Sequence, residues 1–138
     1  MCPVSHKIML VEDDRPILEL MEILLERIGY EPLIVPDVHK ALEIVRNDPP
    51  ALILLDVMME PMDGWEFLEK VRNEYGIKDI PVILFTASPS VEERIANMHD
   101  QRLGVLEKPV SIADLKAGLG KFLKPQSPGK FPVRYTPQ

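Results

Sequence analysis

Carboxylate, hydroxyl and amine side chains stand at the ends of several apolar runs in this sequence. Glu12 and Asp13 follow KIMLV, Asp56 ends ALILLD, Thr86 lies near the end of IPVILFTA, and Lys108 follows GVLE. Clustered carboxylates repel each other, and one takes up a proton unless a cation intervenes. Oxygen ligands with open positions favour Mg²⁺, which keeps several of its waters. A metal ion, an amine and a hydroxyl around one aspartate can offset phosphoryl charge, which indicates Asp56 as a nucleophile for a phosphoryl group.

Each of these side chains also has an ordinary structural explanation when it is considered alone. Asp13 or Asp14 can cap a helix, and an aspartate at a strand end, such as Asp56, is often a turn residue. Threonine is common in strands, and lysine is commonly solvated. A carboxylate that ends a buried strand is nevertheless costly to desolvate without a partner. The functional interpretation depends on four strand ends together, each of which carries a group that the chemistry requires.

Short aliphatic runs alternate with longer amphipathic stretches along the chain. The aliphatic runs predict five strands, at 7–11, 32–35, 51–56, 80–87 and 104–107. Helical spacing and cap residues predict five helices, at 15–28, from Asp37 to about Asn47, from the turn Asp63-Gly64 past Val71, from Ser90 to about Arg102 and from Ser111 to about Leu123. Cap signals are Pro16, Gly29 and two capping-box patterns, Ser90 with Glu93 and Ser111 with Asp114.

The alternation of five strands with five helices predicts a (βα)5 order and an α/β fold class. Strands that are apolar throughout, rather than at every second residue, indicate a doubly wound parallel sheet with both faces covered. Ligands of such sheets bind beyond the carboxyl ends of the strands. In the strand order 2-1-3-4-5 the first and third strands are neighbours, and Glu12, Asp13 and Asp56 would converge on one crevice.

Length, charge and cysteine content limit the classes of protein to which the chain can belong. Its 138 residues suit one domain, expected over 1–123, and a Pro-rich C-terminal tail or linker over 124–138. The single cysteine, Cys2, fits a reducing cytosol, and no apolar run resembles a membrane span or signal peptide. We therefore expect a cytoplasmic protein without a membrane partner. The net charge of −6 and the few residues after Leu123 argue against direct nucleic-acid binding.

Four motifs resemble the signature of response-regulator receiver domains of two-component signalling. They are IMLVEDD, ALILLDVMMEPMDGWEFL, PVILFTA and VLEKP, and the resemblance covers residues 6 to about 123. The spacing is also typical of that family, with 30 residues from Asp56 to Thr86 (86 − 56) and 22 from Thr86 to Lys108 (108 − 86). The resemblance implies a flavodoxin-like fold and a regulatory protein, not an enzyme beyond its own phosphorylation and dephosphorylation.

Carried over residue by residue, the resemblance implies a phosphorylation site with a bound Mg²⁺ ion. Asp56 resembles the aspartate that accepts the phosphoryl group. Asp13 resembles a direct metal ligand, Glu12 a ligand that acts through water, and the Met58 backbone carbonyl the third protein ligand. The implied metal site therefore comprises Glu12, Asp13, Asp56 and Met58.

Two further residues resemble the moving parts of the family's switch. Thr86 matches the hydroxyl that moves to the phosphoryl group, and Lys108 matches the lysine that pairs with that group. The bond from Lys108 to Pro109 is expected to be cis, a conformation that is essentially confined to proline. Asp14 falls just past the acidic pair and is expected to cap the first helix.

Two positions distinguish this sequence within the family pattern. The family usually has Tyr or Phe three residues before the lysine, as a rotating switch ring, and here the residue is Val105. Because valine has no ring, readout is expected through the loop after Thr86 and the helix at 90–102, or is uncoupled. Met58 is larger and more apolar than the polar groups that often help a hydrolytic water, which predicts slow loss of the phosphoryl group.

The resemblance also implies partners, but not their identity. A sensor histidine kinase or a phosphotransfer protein would supply the phosphoryl group. The surface of the fourth helix, fifth strand and fifth helix would meet an unidentified protein target or a second copy in a homodimer. The apolar residues in that region, of which at least half are expected to be core, are Ile95, Met98, Leu103, Val105 and Ile112.

Other functions remain as alternatives. The main one is a degenerate, non-phosphorylated receiver that acts as a protein-binding adaptor, for which Val105 leaves room. An aspartyl phosphatase is disfavoured, because it needs a second aspartate two residues after the nucleophile, where Met58 stands. A stand-alone regulator, a phosphorelay intermediate and a fragment of a longer protein are all compatible with the sequence.

Overall fold

The computed structural model describes residues 7–59, 62–87, 90–108 and 110–123. The strands in this part of the chain are β1 Lys7–Val11, β2 Glu31–Val35, β3 Leu52–Asp56, β4 Val82–Thr86 and β5 Leu103–Glu107. They alternate with α1 Arg15–Ile28, α2 Val38–Asn47, α3 Gly64–Glu69, α4 Ser90–Met98 and α5 Ile112–Gly120. A wider π-helical turn, Lys70–Glu74, continues α3. The predicted tail 124–138, the bond to Pro109 and the Ser90 side chain, with its capping box, lie outside the described residues.

The five strands form one parallel sheet in the order β2-β1-β3-β4-β5, as predicted. Leu54 of β3 lies at its centre, opposite Leu10 of β1 on one side and Ile83 of β4 on the other. Because all strands run in one direction, their carboxyl ends meet at one edge of the sheet, where β1 and β3 are direct neighbours. The fold therefore creates the crevice that the sequence predicts.

Helices cover both faces of the sheet, which explains why the strands are apolar without interruption. Successive strand residues point to opposite faces. Met9 and Ile53 belong to a core that also contains buried residues of α2, α3 and α4. Ile8 and Leu54 belong to a second core, closed by α1 and α5. All five residues of β3 are buried, including the aspartate that ends it.

Several helix ends follow the predicted cap signals. Pro16 lies in the first turn of α1, and Gly29 ends that helix in the left-handed conformation with φ 115°. The Asp37 side chain accepts from the His39 N–H at the start of α2, and Ser111 accepts from the Asp114 N–H at the start of α5. Local sequence thus determines these boundaries.

Asp14 caps α1 by position but not by its side chain. It occupies the N-cap position, and its side chain makes no capping hydrogen bond. Its backbone N–H instead donates to Oε2 of Glu12 over 3.1 Å. The predicted helix cap is therefore confirmed by position, without a side-chain hydrogen bond, and this turn helps to hold Glu12.

Two predicted helices end earlier than expected. α4 ends at Met98 rather than near Arg102, because His99 takes a left-handed conformation with φ 53°. Beyond it, Oδ1 of Asp100 accepts from the Arg102 N–H and fixes the turn into β5. α5 ends at Gly120 rather than near Leu123. Two glycines in its last turn weaken the helix at that point.

Among the helices of the described ranges, none has both the length and the apolar character that a membrane span requires.

Candidate functional site

The acidic residues of β1 and β3 meet at the carboxyl edge of the sheet. Glu12 directly follows β1 and is 1% exposed, and Asp56 is the last residue of β3 and is 3% exposed. Asp13 is exposed beside them. One oxygen from each of the three carboxylates lies within 4.8 Å of the others. The predicted convergence of these three side chains is therefore present.

The amine of Lys108 reaches this cluster from the opposite side. Its Nζ lies 3.3 Å from Oδ1 of Asp56 and 3.5 Å from Oε1 of Glu12. The lysine follows β5, and its backbone N–H donates to the Thr86 carbonyl over 2.8 Å, which fixes the start of the side chain. Its Nζ also lies 5.0 Å from the centre of the Phe85 ring. The buried carboxylate of Asp56 thus has the positive partner that its burial demands.

Burial changes the protonation of Glu12. Desolvation raises the pKa of Glu12 from 4.5 to about 8, with a further contribution from its hydrogen bond to Asp56. The hydrogen bond from the Asp14 N–H and the charge of Lys108 lower the pKa of Glu12, but by less. Burial therefore favours the protonated form of Glu12 in the chain without a bound cation.

The donor set of this cluster suits a hard divalent cation. It offers three carboxylates from adjacent loops, two of them buried and one open to solvent. Such oxygen ligands with room for water are typical of Mg²⁺ sites. Glu12, Asp13 and Asp56 are thus able to hold a metal ion.

Thr86 and Met58 flank the buried aspartate. Asp56 pairs with Phe85 in the sheet, so Thr86, the last residue of β4, lies one position further towards the same edge. Thr86 is 2% exposed. The Met58 N–H donates to Oδ1 of Asp56 over 3.1 Å. Met58 itself is 75% exposed. The five predicted side chains and the Met58 backbone therefore belong to one edge of the sheet.

Gly64 has a role at this site that sequence reasoning misses. A Cβ at this position would lie 2.7 Å from the Asp56 carbonyl oxygen and 2.9 Å from Cα of Val57. The Gly64 N–H donates to the Val57 carbonyl over 2.9 Å. The Asp63-Gly64 dipeptide indicates a turn, but the contact with a residue eight positions earlier leaves no local signal. Gly64 lets α3 begin directly against the backbone of the phosphoryl-acceptor candidate.

A comparison with protein families identifies the family to which this fold belongs. The sequence model of the response regulator receiver domain matches residues 8–119. This chain belongs to that family. The receiver domain is a regulatory rather than a catalytic module of two-component response regulators.

Curated relatives place this receiver domain among response regulators of greater length. It is 36% identical over 120 residues to the probable transcriptional regulator ycf27 of Galdieria sulphuraria, across 87% of this chain and 46% of that protein. It is 32% identical over 126 residues to the response regulator MprA of Mycobacterium sp. (strain KMS), across 91% of this chain and 54% of that protein. The chain thus spans about half the length of these relatives.

Solved structures have the same architecture as this receiver domain. The chemotaxis protein CheY4 of Vibrio cholerae matches with a TM-score of 0.76 and 28% identity, across 87% of this chain and 100% of that one. The N-terminal domain of a response regulator receiver protein from Methanoculleus marisnigri JR1 matches with a TM-score of 0.67 and 36% identity, across 87% and 98% of the two chains.

The receiver domain exposes only part of the apolar set that the sequence assigns to α4, β5 and α5. Leu103 is buried, and Ile95 and Val105 are half-buried against the first core. Met98 and Ile112 are 43% and 42% exposed. As expected, more than half of this set is core, and two side chains remain accessible.

Proposed function

We propose that this receiver domain is a phosphorylation-operated signalling switch with Asp56 as the phosphoryl acceptor. The observation that carries the proposal is the 3.3 Å contact between Lys108 Nζ and the buried Asp56 carboxylate, within a cluster of acids that suits Mg²⁺. A structural ion pair alone does not require two further carboxylates beside it. A phosphoryl-transfer site does, because it must bind both a metal ion and a highly charged group.

The proposed transfer needs little from the protein apart from position and charge. An Asp56 oxygen attacks phosphorus of a phosphohistidine on a sensor histidine kinase or phosphotransfer protein. The new O–P bond forms as the P–N bond breaks, and the electron pair returns to the histidine ring. Bound Mg²⁺ would supply charge neutralisation for the phosphoryl oxygens. Asp13 would hold it directly, Glu12 through water, and Met58 through its backbone carbonyl.

Lys108 and Thr86 act on the phosphoryl group after transfer in this proposal. The Lys108 amine, already beside Asp56, pairs with one phosphoryl oxygen. The Thr86 hydroxyl moves towards another, and the new charge shifts the population of conformations at α4, β5 and α5. Exposed Met98 and Ile112 on that surface are then available to a protein target or to a second copy in a homodimer.

The loss of the phosphoryl group is expected to be slow. Met58 is apolar and 75% exposed beside Asp56, so it offers no hydrogen bond that would orient a hydrolytic water. Replacement by asparagine adds an amide at that position. If the wild type lost its phosphoryl group much faster than Met58→Asn, this part of the proposal would fail.

Mass spectrometry after incubation with acetyl phosphate and Mg²⁺ tests the acceptor. We expect a gain of one phosphoryl group that is absent in Asp56→Asn and without Mg²⁺. Asp48→Asn, which alters an exposed aspartate after α2, is the matched control and should be modified like the wild type.

A protein-binding adaptor that is never phosphorylated is the second candidate, and Val105 favours it. This half-buried valine stands where the family usually has a rotating aromatic ring. The adaptor makes the opposite prediction in the same experiment, since no modification would appear in any variant. The intact set of acids, hydroxyl and amine supports the switch.

A further inference from the structure

The side chain of Arg94 on α4 stacks on the indole ring of Trp65 on α3. The guanidinium carbon lies 4.0 Å from the ring centre. Trp65 is half-buried and packs against the first core, whereas Arg94 is exposed. The contact therefore joins two neighbouring helices at the surface, where a cation over an aromatic face is stabilising.

Trp65 is fixed relative to the phosphoryl-acceptor site. It follows Gly64, whose N–H donates to the Val57 carbonyl over 2.9 Å. The Asp63 side chain accepts from the Glu66 N–H, and the Glu66 side chain accepts from the Asp63 N–H, which holds the first turn of α3. These hydrogen bonds hold the backbone of Trp65 to the segment that follows Asp56.

Arg94 is tied instead to the other side of the site. It lies on α4, which begins at Ser90, four residues after Thr86. Val91 of the same helix is buried in the core that Trp65 covers. A displacement of Thr86 towards a phosphoryl group would therefore reach Arg94 through a short segment, while Trp65 stays with β3.

We propose that Arg94 is a positioning residue of the switch, which clasps α4 to Trp65 in the unphosphorylated conformation. The inference rests on the proposed phosphorylation of Asp56. A separation of 4.0 Å is close contact for stacked groups, so movement of α4 away from α3 would weaken it. The clasp gives this receiver domain a signal from α4 that does not need an aromatic ring at Val105.

An interaction that exists in only one conformation stabilises that conformation. Loss of the clasp should therefore favour the phosphorylated conformation and speed phosphoryl transfer by about two- to fivefold, which corresponds to one exposed cation–aromatic contact. Loss of the cation should also expose the indole face to water and move its emission to longer wavelength. Because Trp65 is the single tryptophan of the chain, the emission reports the surroundings of this ring alone.

The experiment follows tryptophan emission and mass in parallel, on the full chain with Mg²⁺ and acetyl phosphate. In the wild type, emission should move to longer wavelength at the rate at which the phosphoryl group is gained. Arg94→Gln should start with the shifted emission, change little and gain the group about two- to fivefold faster. Arg94→Lys, which keeps a cation, should lie between them.

Arg46→Gln is the matched control, because Arg46 also lies over an aromatic ring, that of Tyr75, at 5.0 Å, but joins α2 to the end of the π-helical turn. It should behave like the wild type in both measurements. A gain of mass without a change of emission, or equal rates for the wild type and Arg94→Gln, would overturn the clasp alone. No gain of mass in the wild type would overturn the proposed function and the clasp with it.

Discussion

At the scale of single residues, Lys108 is the side chain on which the charge balance of the site depends. Its amine faces two buried carboxylates at 3.3 and 3.5 Å. Lys108→Gln keeps a polar, unbranched side chain, shorter by one atom, but removes the positive charge. We expect the rate at which Asp56 is phosphorylated by acetyl phosphate to fall by about tenfold or more. Lys78→Gln, at an exposed lysine before β4, is the control, and an equal rate in both variants would contradict the assignment.

Gly64 provides a second residue-scale prediction, which concerns stability. Gly64→Ala would place a methyl group 2.7 Å from the Asp56 carbonyl oxygen, so the backbone of β3 or α3 must shift. We expect the free energy of unfolding to fall by about 1–3 kcal/mol in urea titrations. Gly120→Ala is the control, since a Cβ there meets nothing within 4 Å and alanine favours helix. Equal stability of the two variants would show that the close approach does not constrain the fold.

The position of the candidate site residues is the part that the sequence predicts well. Glu12, Asp13, Asp56 and Lys108 each follow or end an apolar run, and parallel strands bring such positions to one edge. What the sequence does not contain is how backbone atoms approach one another across long separations. The tight contact of Gly64 with the Asp56 backbone belongs to that class.

At the scale of elements, the π-helical turn after α3 positions a buried arginine. Arg72 is 7% exposed, and its Nε donates to Oδ2 of Asp100 over 2.9 Å. Its two terminal nitrogens donate to the carbonyls of Ile77 and Arg102 over 3.1 and 3.0 Å. One side chain thus joins the π-helical turn to the segments that lead into β4 and β5.

Replacement of this arginine should destabilise the chain. Arg72→Met keeps the apolar stem but removes the donor to Oδ2 of Asp100, the donor to the Ile77 carbonyl and one of the two donors to the Arg102 carbonyl. We expect a loss of about 2–3 kcal/mol in the free energy of unfolding. Arg102→Met is the control, because the backbone of Arg102, rather than its exposed side chain, makes these contacts. A loss of similar size in both variants would contradict the role of the Arg72 guanidinium.

Element boundaries show why some structure escapes sequence reasoning. The end of α1 at Gly29 and the start of α2 at Asp37 are predicted correctly, because these two residues have strong local preferences. The early end of α4 is not, because histidine takes the left-handed conformation of His99 less readily than glycine. The hydrogen bond of the following residue, Asp100, also joins it to Arg72, 28 positions earlier, which no local pattern reveals. The π-helical turn is also missed, because the apolar pattern of a helix of one or two turns does not reveal whether a turn contains an extra residue.

At the scale of the whole molecule, the sheet order decides which local signals become a site. Five strand ends would be unrelated in an antiparallel sheet, whereas here β1 and β3 lie side by side and β5 reaches them through Lys108. The unbroken apolar strands are enough to predict a sheet covered on both faces. The order of the strands, in contrast, is predicted from the resemblance to receiver domains rather than from any single residue.

The proton held by Glu12 links the stability of the whole domain to pH. Its pKa is about 8 in the folded chain without metal and near 4.5 when unfolded. Between these values the folded chain keeps a proton that the unfolded chain releases, so the free energy of unfolding falls as pH rises through this range. Below pH 4.5 Glu12 is protonated in both the folded and the unfolded chain, and its contribution to the free energy of unfolding is fully present.

Magnesium should oppose this loss, because a cation among the three carboxylates replaces the proton and stabilises only the folded state. Urea titrations at about pH 5 and about pH 8, with and without Mg²⁺, measure both effects. We expect Mg²⁺ to stabilise the wild type more at the higher pH. Glu12→Gln removes the titrating group, so its metal-free stability should change less with pH than that of the wild type. Parallel pH dependence in the two proteins would mean that burial of Glu12 does not control the charge of the cluster, and that the acids do not behave as one unit.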